Sequence, residues 1–288
     1  MAQEFLDKVY KYVDVWPEFI FEEHAKLLDE RTHAIPVAAI ILYGLMIYLW
    51  PKFFPAGHKG FRTLVKWPAA FWNLFLSLMS MCILFGVGKP YFEMFRDNGF
   101  TWTLCDSEHM IQDRPSSMLF WTYVFVLSKY FELFDTTLLL LKDPHRKLQF
   151  LHWYHHMTVL AFTWYAEYYR FAAGFHFILF NAFVHSLMYF YYFLTEVGWR
   201  PPRFIQMFLT TLQILQMVWG ITVNGIWTYI YFRDGDCGCR NPKVILISCV
   251  LMYGSYLFLF CEFFFKRYIL SDKKPAPAAK KGDNKKKN

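Results

Sequence analysis

Three histidines, His152, His155 and His156, stand at positions i, i+3 and i+4 of an apolar run, a spacing that lines them up on one face of a helix. Such a set can bind a metal, shuttle protons near neutral pH, or act as a nucleophile toward an activated acyl group. Other ionisable and amide residues recur at helical spacing nearby. Lys129, Glu132, Asp135 and Thr136 form one stripe, Asn181, His185, Tyr189 and Tyr192 a second, and Thr210, Gln213 and Gln216 a third. His24, His33, His58, His109 and His145 fall in loops or tails, and His176 near the opposite end of its run; none is assigned a role.

The elements that must carry these stripes are membrane helices. The chain of 288 residues is 56% hydrophobic and 22% aromatic with only 18% charged residues, which excludes a soluble globular protein. Seven stretches are long enough to cross the hydrocarbon core, at approximately 34–50, 68–88, 117–141, 151–170, 171–196, 204–232 and 243–267. The expected fold is therefore an all-α integral membrane protein of seven transmembrane helices. An N-terminal segment (1–33) and a tail (268–288) flank the seven-helix transmembrane domain (34–267). The first 33 residues carry eight acidic and four basic residues and no apolar core, so no cleavable signal peptide is expected. The tail, rich in Lys, Pro and Ala, is expected to be disordered.

Counting Lys and Arg on alternate sides gives 18 against three acidic residues on one side and 11 against 16 on the other. This places the C-terminus in the cytosol and the N-terminus across the membrane. Cys105, Cys237 and Cys239 then share the far, oxidising side, where Cys105 is expected to bridge to Cys237 or Cys239. Lys285 and Lys286, four and three from the end, look like a dilysine retrieval signal of the endoplasmic reticulum membrane.

At ~1.5 Å of rise per residue, the span 4 histidines lie roughly 2–9 Å and Asp135 about 9 Å from the cytosolic side; His185, Gln213 and Gln216 lie about 14–18 Å deep. Four helices thus direct polar groups into the cytosolic half of the bundle, where ionisable residues default to function. Single members have simpler explanations. Gln213 or Asn181 alone is common interhelical glue, Lys129 and Glu132 neutralise each other, and the tyrosines pack.

Two chemistries fit the histidine triplet. H-x-x-H-H is one box of membrane di-iron desaturases and hydroxylases, but those sites draw on many more histidines than the four (His152, His155, His156, His185) in this half of the spans. In the other, neutral imidazole attacks a thioester directly, with a neighbouring histidine as acid or base. A transporter or receptor leaves the triplet unexplained.

Lys129-x-x-Glu132-x-x-Asp135-Thr136, His152-x-x-His155-His156, Asn181-x-x-x-His185-x-x-Met188-Tyr189 and Thr210-x-x-Gln213-x-x-Gln216, in this order, resemble the very-long-chain fatty acid elongase family. The stretches 150–156 and 259–265 are similar to its subfamily acting on saturated and monounsaturated chains. The resemblance implies condensation of acyl-CoA with malonyl-CoA to 3-oxoacyl-CoA, carbon dioxide and CoA, with no metal or other cofactor. It implies spans 2–7 around an acyl tunnel with span 1 outside. His155 would be acylated, His156 and His185 would move protons, and His152 would orient them. Substrate contacts would come from the stripe residues Lys129, Glu132, Asp135, Asn181, Tyr189, Gln213 and Gln216. Lys142, Arg146 and Lys266 are candidates for the CoA phosphates. Expected partners are the lipid bilayer, the other enzymes of the elongation cycle and, by resemblance, a second copy in a homodimer; no nucleic acid is expected.

Overall fold

The computed structural model describes residues 33–105, 116–235, 237, 239 and 241–270. The flanking segments of the expected domain division, including Lys285 and Lys286, lie almost wholly outside these residues.

Every regular element among the described residues is helical: α1 (Ala34–Leu49), α2 (Arg62–Asn98), α3 (Phe100–Cys105), α4 (Ser116–Glu132), α5 (Phe134–Lys142), α6 (Phe150–Tyr168), α7 (Gly174–Val197), α8 (Arg203–Asp234) and α9 (Pro242–Phe264). A 3₁₀ turn (Trp50–Phe53) extends α1 and a π-helical turn (Phe265–Leu270) extends α9. Backbone hydrogen bonds satisfied within each segment are what hydrocarbon demands. Five of the segments, Ala34–Phe53, Arg62–Asn98, Gly174–Val197, Arg203–Asp234 and Pro242–Leu270, are long and apolar enough to cross a membrane. The protein is accordingly an integral membrane α protein.

The remaining two expected spans are also helical, with differences. The stretch expected at 117–141 breaks at Leu133 into helices of 17 and 9 residues. α6 has 19 residues, and its three histidines lower the mean hydropathy. α2 reaches far beyond the expected 68–88, because its polar ends continue the helix outside the apolar run. A tight turn divides α6 from α7, closed by Phe171 N–H donating to the Ala166 carbonyl (2.9 Å), with Arg170 in the left-handed region.

The helices close a circuit. α2 packs against α4 and α7, α4 against α6, α6 against α9, α9 against α8, and α8 against α7; α1 leans on α6 from outside. Lipid is as apolar as these side chains, so close packing and interhelical hydrogen bonds hold such a ring together. Gly86 on α2 illustrates the close approach: a Cβ there would lie 2.0 Å from the Trp121 ring of α4. Ser77 Oγ, donating to the Ser186 carbonyl (2.8 Å), ties α2 to α7. Asn241 caps α9 by accepting from Val244 N–H (3.4 Å), with Pro242 at the first turn.

Cys105 and Cys237 form a disulfide, which resolves the expected pairing in favour of Cys237. It ties the end of α3 to the segment after α8. The opposite end of the bundle carries Lys142. His176 is buried near the disulfide end, where its ring contacts the hydroxyls of Tyr91 and Thr103 (both 3.2 Å), a packing role.

Candidate functional site

The three polar stripes meet inside the ring. Lys129 Nζ donates to Glu132 Oε1 (2.7 Å) and, across to α7, to Asn181 Oδ1 (3.0 Å). Its ammonium lies 4.4 Å from the Phe125 ring centroid. Ser128 Oγ, which donates to the Phe125 carbonyl (2.7 Å), lies 3.3 Å from the same Glu132 oxygen, and His185 Nδ1 approaches that oxygen at 3.5 Å. Lys129 and Glu132 are each 2% exposed, so the charges are stabilised by each other and by these dipoles rather than by water. Their pairing agrees with the expected mutual neutralisation, and Asn181 and His185 join it.

Asp135, just past the Leu133 break, accepts from Trp72 Nε1 (2.8 Å) and from Tyr189 OH (2.7 Å). The break rotates Asp135 away from Glu132, so the two carboxylates serve different neighbours. Both oxygens of Asp135 are thereby occupied.

The histidines of α6 pack against one another. The His152 and His156 ring centroids are 4.7 Å apart, and those of His155 and His156 5.5 Å. His152 Nε2 contacts Thr136 Oγ1 at 2.8 Å, and Thr136 in turn contacts Tyr43 OH at 2.8 Å. Tyr256 of α9 lies over His155 (5.2 Å between centroids) and donates to its backbone carbonyl (3.1 Å). Among the described residues, Glu132 Oε2, His156 Nδ1 and His185 Nδ1 are buried without a hydrogen-bond partner.

A narrow cavity opens from this cluster toward the disulfide end. His155, Asn181 and Gln216 stand at one end and Glu167 at the other; between them the wall is largely apolar, with Phe162, Phe177 and Met252 among its residues. Among the described residues, His155 is the sole histidine lining it. Gln213, one turn from Gln216, instead donates to Met188 Sδ (3.3 Å).

Near the Lys142 end, Lys142 pairs with Glu196 and Lys266 with Glu262. Arg146 sits in the turn between α5 and α6, its N–H donating to the Asp143 carbonyl (3.1 Å). Sequence reasoning passed over Trp72, Tyr256 and Tyr43. A lone tyrosine or tryptophan in an aromatic-rich helix has no periodic signal to mark it, and only the partner reveals the role.

A helical membrane protein with histidines, amides and a buried ion pair converging on an apolar cavity has the equipment of an enzyme acting on a lipid-like substrate. Residues 30–276 match the ELO family, described as the GNS1/SUR4 family, and the chain belongs to it. It is 34% identical over 258 residues to very long chain fatty acid elongase 4 of Trypanosoma cruzi (strain CL Brener), covering 89% of this chain and 88% of that protein. It is 40% identical over 215 residues to very long chain fatty acid elongase 6 of Gallus gallus (74% and 77% covered). Against elongase 6 of Homo sapiens the identity is 38% over 212 residues (74% and 77% covered).

Proposed function

We propose that this protein is the condensing enzyme of fatty acid elongation, joining acyl-CoA to malonyl-CoA to give 3-oxoacyl-CoA, carbon dioxide and CoA. The observation that carries the mechanism is the position of His155 at the polar end of an apolar cavity, with His156 beside it and the other two site histidines close by. The named relatives support the reaction class.

An imidazole nitrogen of His155 attacks the thioester carbonyl. The acyl–sulfur bond breaks, CoA leaves as thiolate, and the imidazole's other proton passes to it through the neighbouring histidines. Asn181 and Gln216, lining the cavity beside His155, are placed to stabilise charge on the carbonyl oxygen. Malonyl-CoA then loses carbon dioxide. The resulting enolate carbon takes the acyl group, the acyl–nitrogen bond breaks, and the departing imidazolate takes up one proton from the solvent by way of the neighbouring histidines, which restores the neutral imidazole. A largely apolar cavity protects the acyl-imidazole from water. His156, whose buried Nδ1 has no hydrogen-bond partner among the described residues, and His185, whose Nδ1 faces Glu132 Oε1 at 3.5 Å, serve as proton carriers, and His152 orients them. The reaction so written needs no metal and no redox cofactor.

In this reading α4 with α5, and α6, also cross the bilayer, making seven spans, and the cavity is the inner part of an acyl tunnel inside the ring of α2 to α9. The Lys142 end faces the cytosol, as the positive charge in its loops supports, and the membrane is that of the endoplasmic reticulum. Lys142, Arg146 and Lys266 then border the mouth that takes CoA. Glu196 and Glu262 hold two of them in place until phosphate competes. The enzymes that reduce and dehydrate the 3-oxo product work alongside, and a homodimer is compatible with the exposed helix faces.

The test is incorporation of labelled malonyl-CoA carbon into a panel of acyl-CoAs by membranes carrying wild-type protein or His155→Ala. Two-carbon extension lost in the variant is expected. Absence of extension with every chain length offered to the wild type overturns the proposal.

A further inference from the structure

α1 stands outside the ring, and most of its surface faces outward: Ile41 is 55%, Leu42 65% and Tyr48 66% exposed. Pro36 and Tyr43 are its two buried residues. Tyr43 is 4% exposed because its side chain points inward, past α6, to the start of α5. There its hydroxyl contacts Thr136 Oγ1 (2.8 Å), and the same oxygen contacts His152 Nε2 (2.8 Å). Its ring also lies 6.3 Å from that of His156. α1 is held in register by Thr137 Oγ1 donating to Met46 Sδ (3.2 Å), and by Met157 of α6 packing 4.0 Å from where a Cβ on Gly44 would stand.

We infer that Tyr43 is a positioning residue of the active site, acting through Thr136 on His152. The inference rests on the reading that the α6 histidines perform the condensation. A hydroxyl carries one proton, so Thr136 can donate to only one of its two neighbours. The phenol is the stronger donor, so the chain runs from Tyr43 to Thr136 to His152 Nε2. That direction keeps Nε2 unprotonated and puts the proton of the neutral ring on Nδ1. One tyrosine from the outer helix thereby fixes the tautomer and ring angle of His152, which packs on His156, which packs on His155. Without the phenol, Thr136 is free to turn its proton elsewhere, and His152 can adopt either tautomer. Tyr43 touches no reacting atom in this scheme. Its loss therefore slows the chemical step without weakening substrate binding.

The experiment compares kcat and KM of wild type, Tyr43→Phe, Thr136→Val, the double variant and His155→Ala in purified full-length protein, using labelled malonyl-CoA and one acyl-CoA. Leu42→Ala, on the outward face of α1, is the control and keeps wild-type rates. Tyr43→Phe is expected to lower kcat about five- to tenfold with acyl-CoA KM changed by less than about twofold. The double variant is expected to be no slower than Thr136→Val alone, because both substitutions cut one chain. A defect of packing would instead multiply in the double variant, and that result overturns the inference, as does a wild-type kcat in Tyr43→Phe. Thr136→Val interrupts the chain without altering α1. If Tyr43→Phe folds poorly, a wild-type kcat in Thr136→Val is still decisive against the inference. A dead His155→Ala beside a wild-type Tyr43→Phe rejects the role of Tyr43 alone. Condensation persisting in His155→Ala rejects the histidine reading itself, and this role with it.

Discussion

Lys129 Nζ lies 3.0 Å from Asn181 Oδ1, so a buried ammonium on α4 is tied to an amide on α7 across the interior of the ring. The same ammonium neutralises Glu132, whose carboxylate faces His185. Asn181 therefore does two things: it shares a charge with the ion pair and lines the cavity beside His155. The electrostatics of the site and the packing of the helices are held by the same few atoms.

Lys129→Met should destabilise the protein by about 3–5 kcal/mol, because it leaves the Glu132 carboxylate buried and uncompensated. Adding Glu132→Gln should recover a large part of that loss while activity stays low. Thermal unfolding of the purified variants in detergent, read beside their condensation rates, checks both statements. Equal stability of Lys129→Met and wild type would mean the pair carries no such burden.

The disulfide gives a second expectation. Cys105→Ser should cost about 2–5 kcal/mol of stability, since the bridge closes a loop with a sequence separation of 132 residues. Cys239→Ser should leave the bridge intact. Mobility on non-reducing gels and unfolding temperature with and without reductant report on the two variants.

Gly220 sets the shape of the cavity wall. A Cβ at this position of α8 would lie 2.3 Å from the Tyr253 ring, and Tyr253 lines the cavity. Gly220→Ala should push that ring toward the cavity, which the proposed mechanism gives to the acyl chain. The kcat/KM for the longest accepted acyl-CoA should fall about tenfold and that for the shortest by less than about twofold. A uniform loss across chain lengths would indicate a general folding defect instead.

Much of this site was legible in the sequence. The polar stripes on α4, α6, α7 and α8 announce themselves because ionisable and amide residues are rare in apolar helices, and helical spacing states which of them share a face. Cys105 and Cys237 were legible as partners through the side of the membrane, though geometry was needed to choose Cys237 over Cys239. The break at Leu133 was not legible: Phe131, Leu133 and Phe134 continue the apolar run without a Pro or Gly to mark it. It matters, since it turns Asp135 toward Trp72 and Tyr189 instead of toward Glu132. Tyr43 stayed hidden for a related reason. Its hydroxyl is satisfied on a different helix nearly a hundred residues away, and no local pattern encodes that.

The most direct test of the account is the intact mass of purified enzyme incubated with acyl-CoA alone, followed by mapping of any modified peptide. The account predicts a gain of one acyl group on the peptide carrying His155, absent in His155→Ala and discharged by malonyl-CoA. An enzyme that turns over yet never shows the adduct under rapid quenching, or that carries it on another residue, would contradict it.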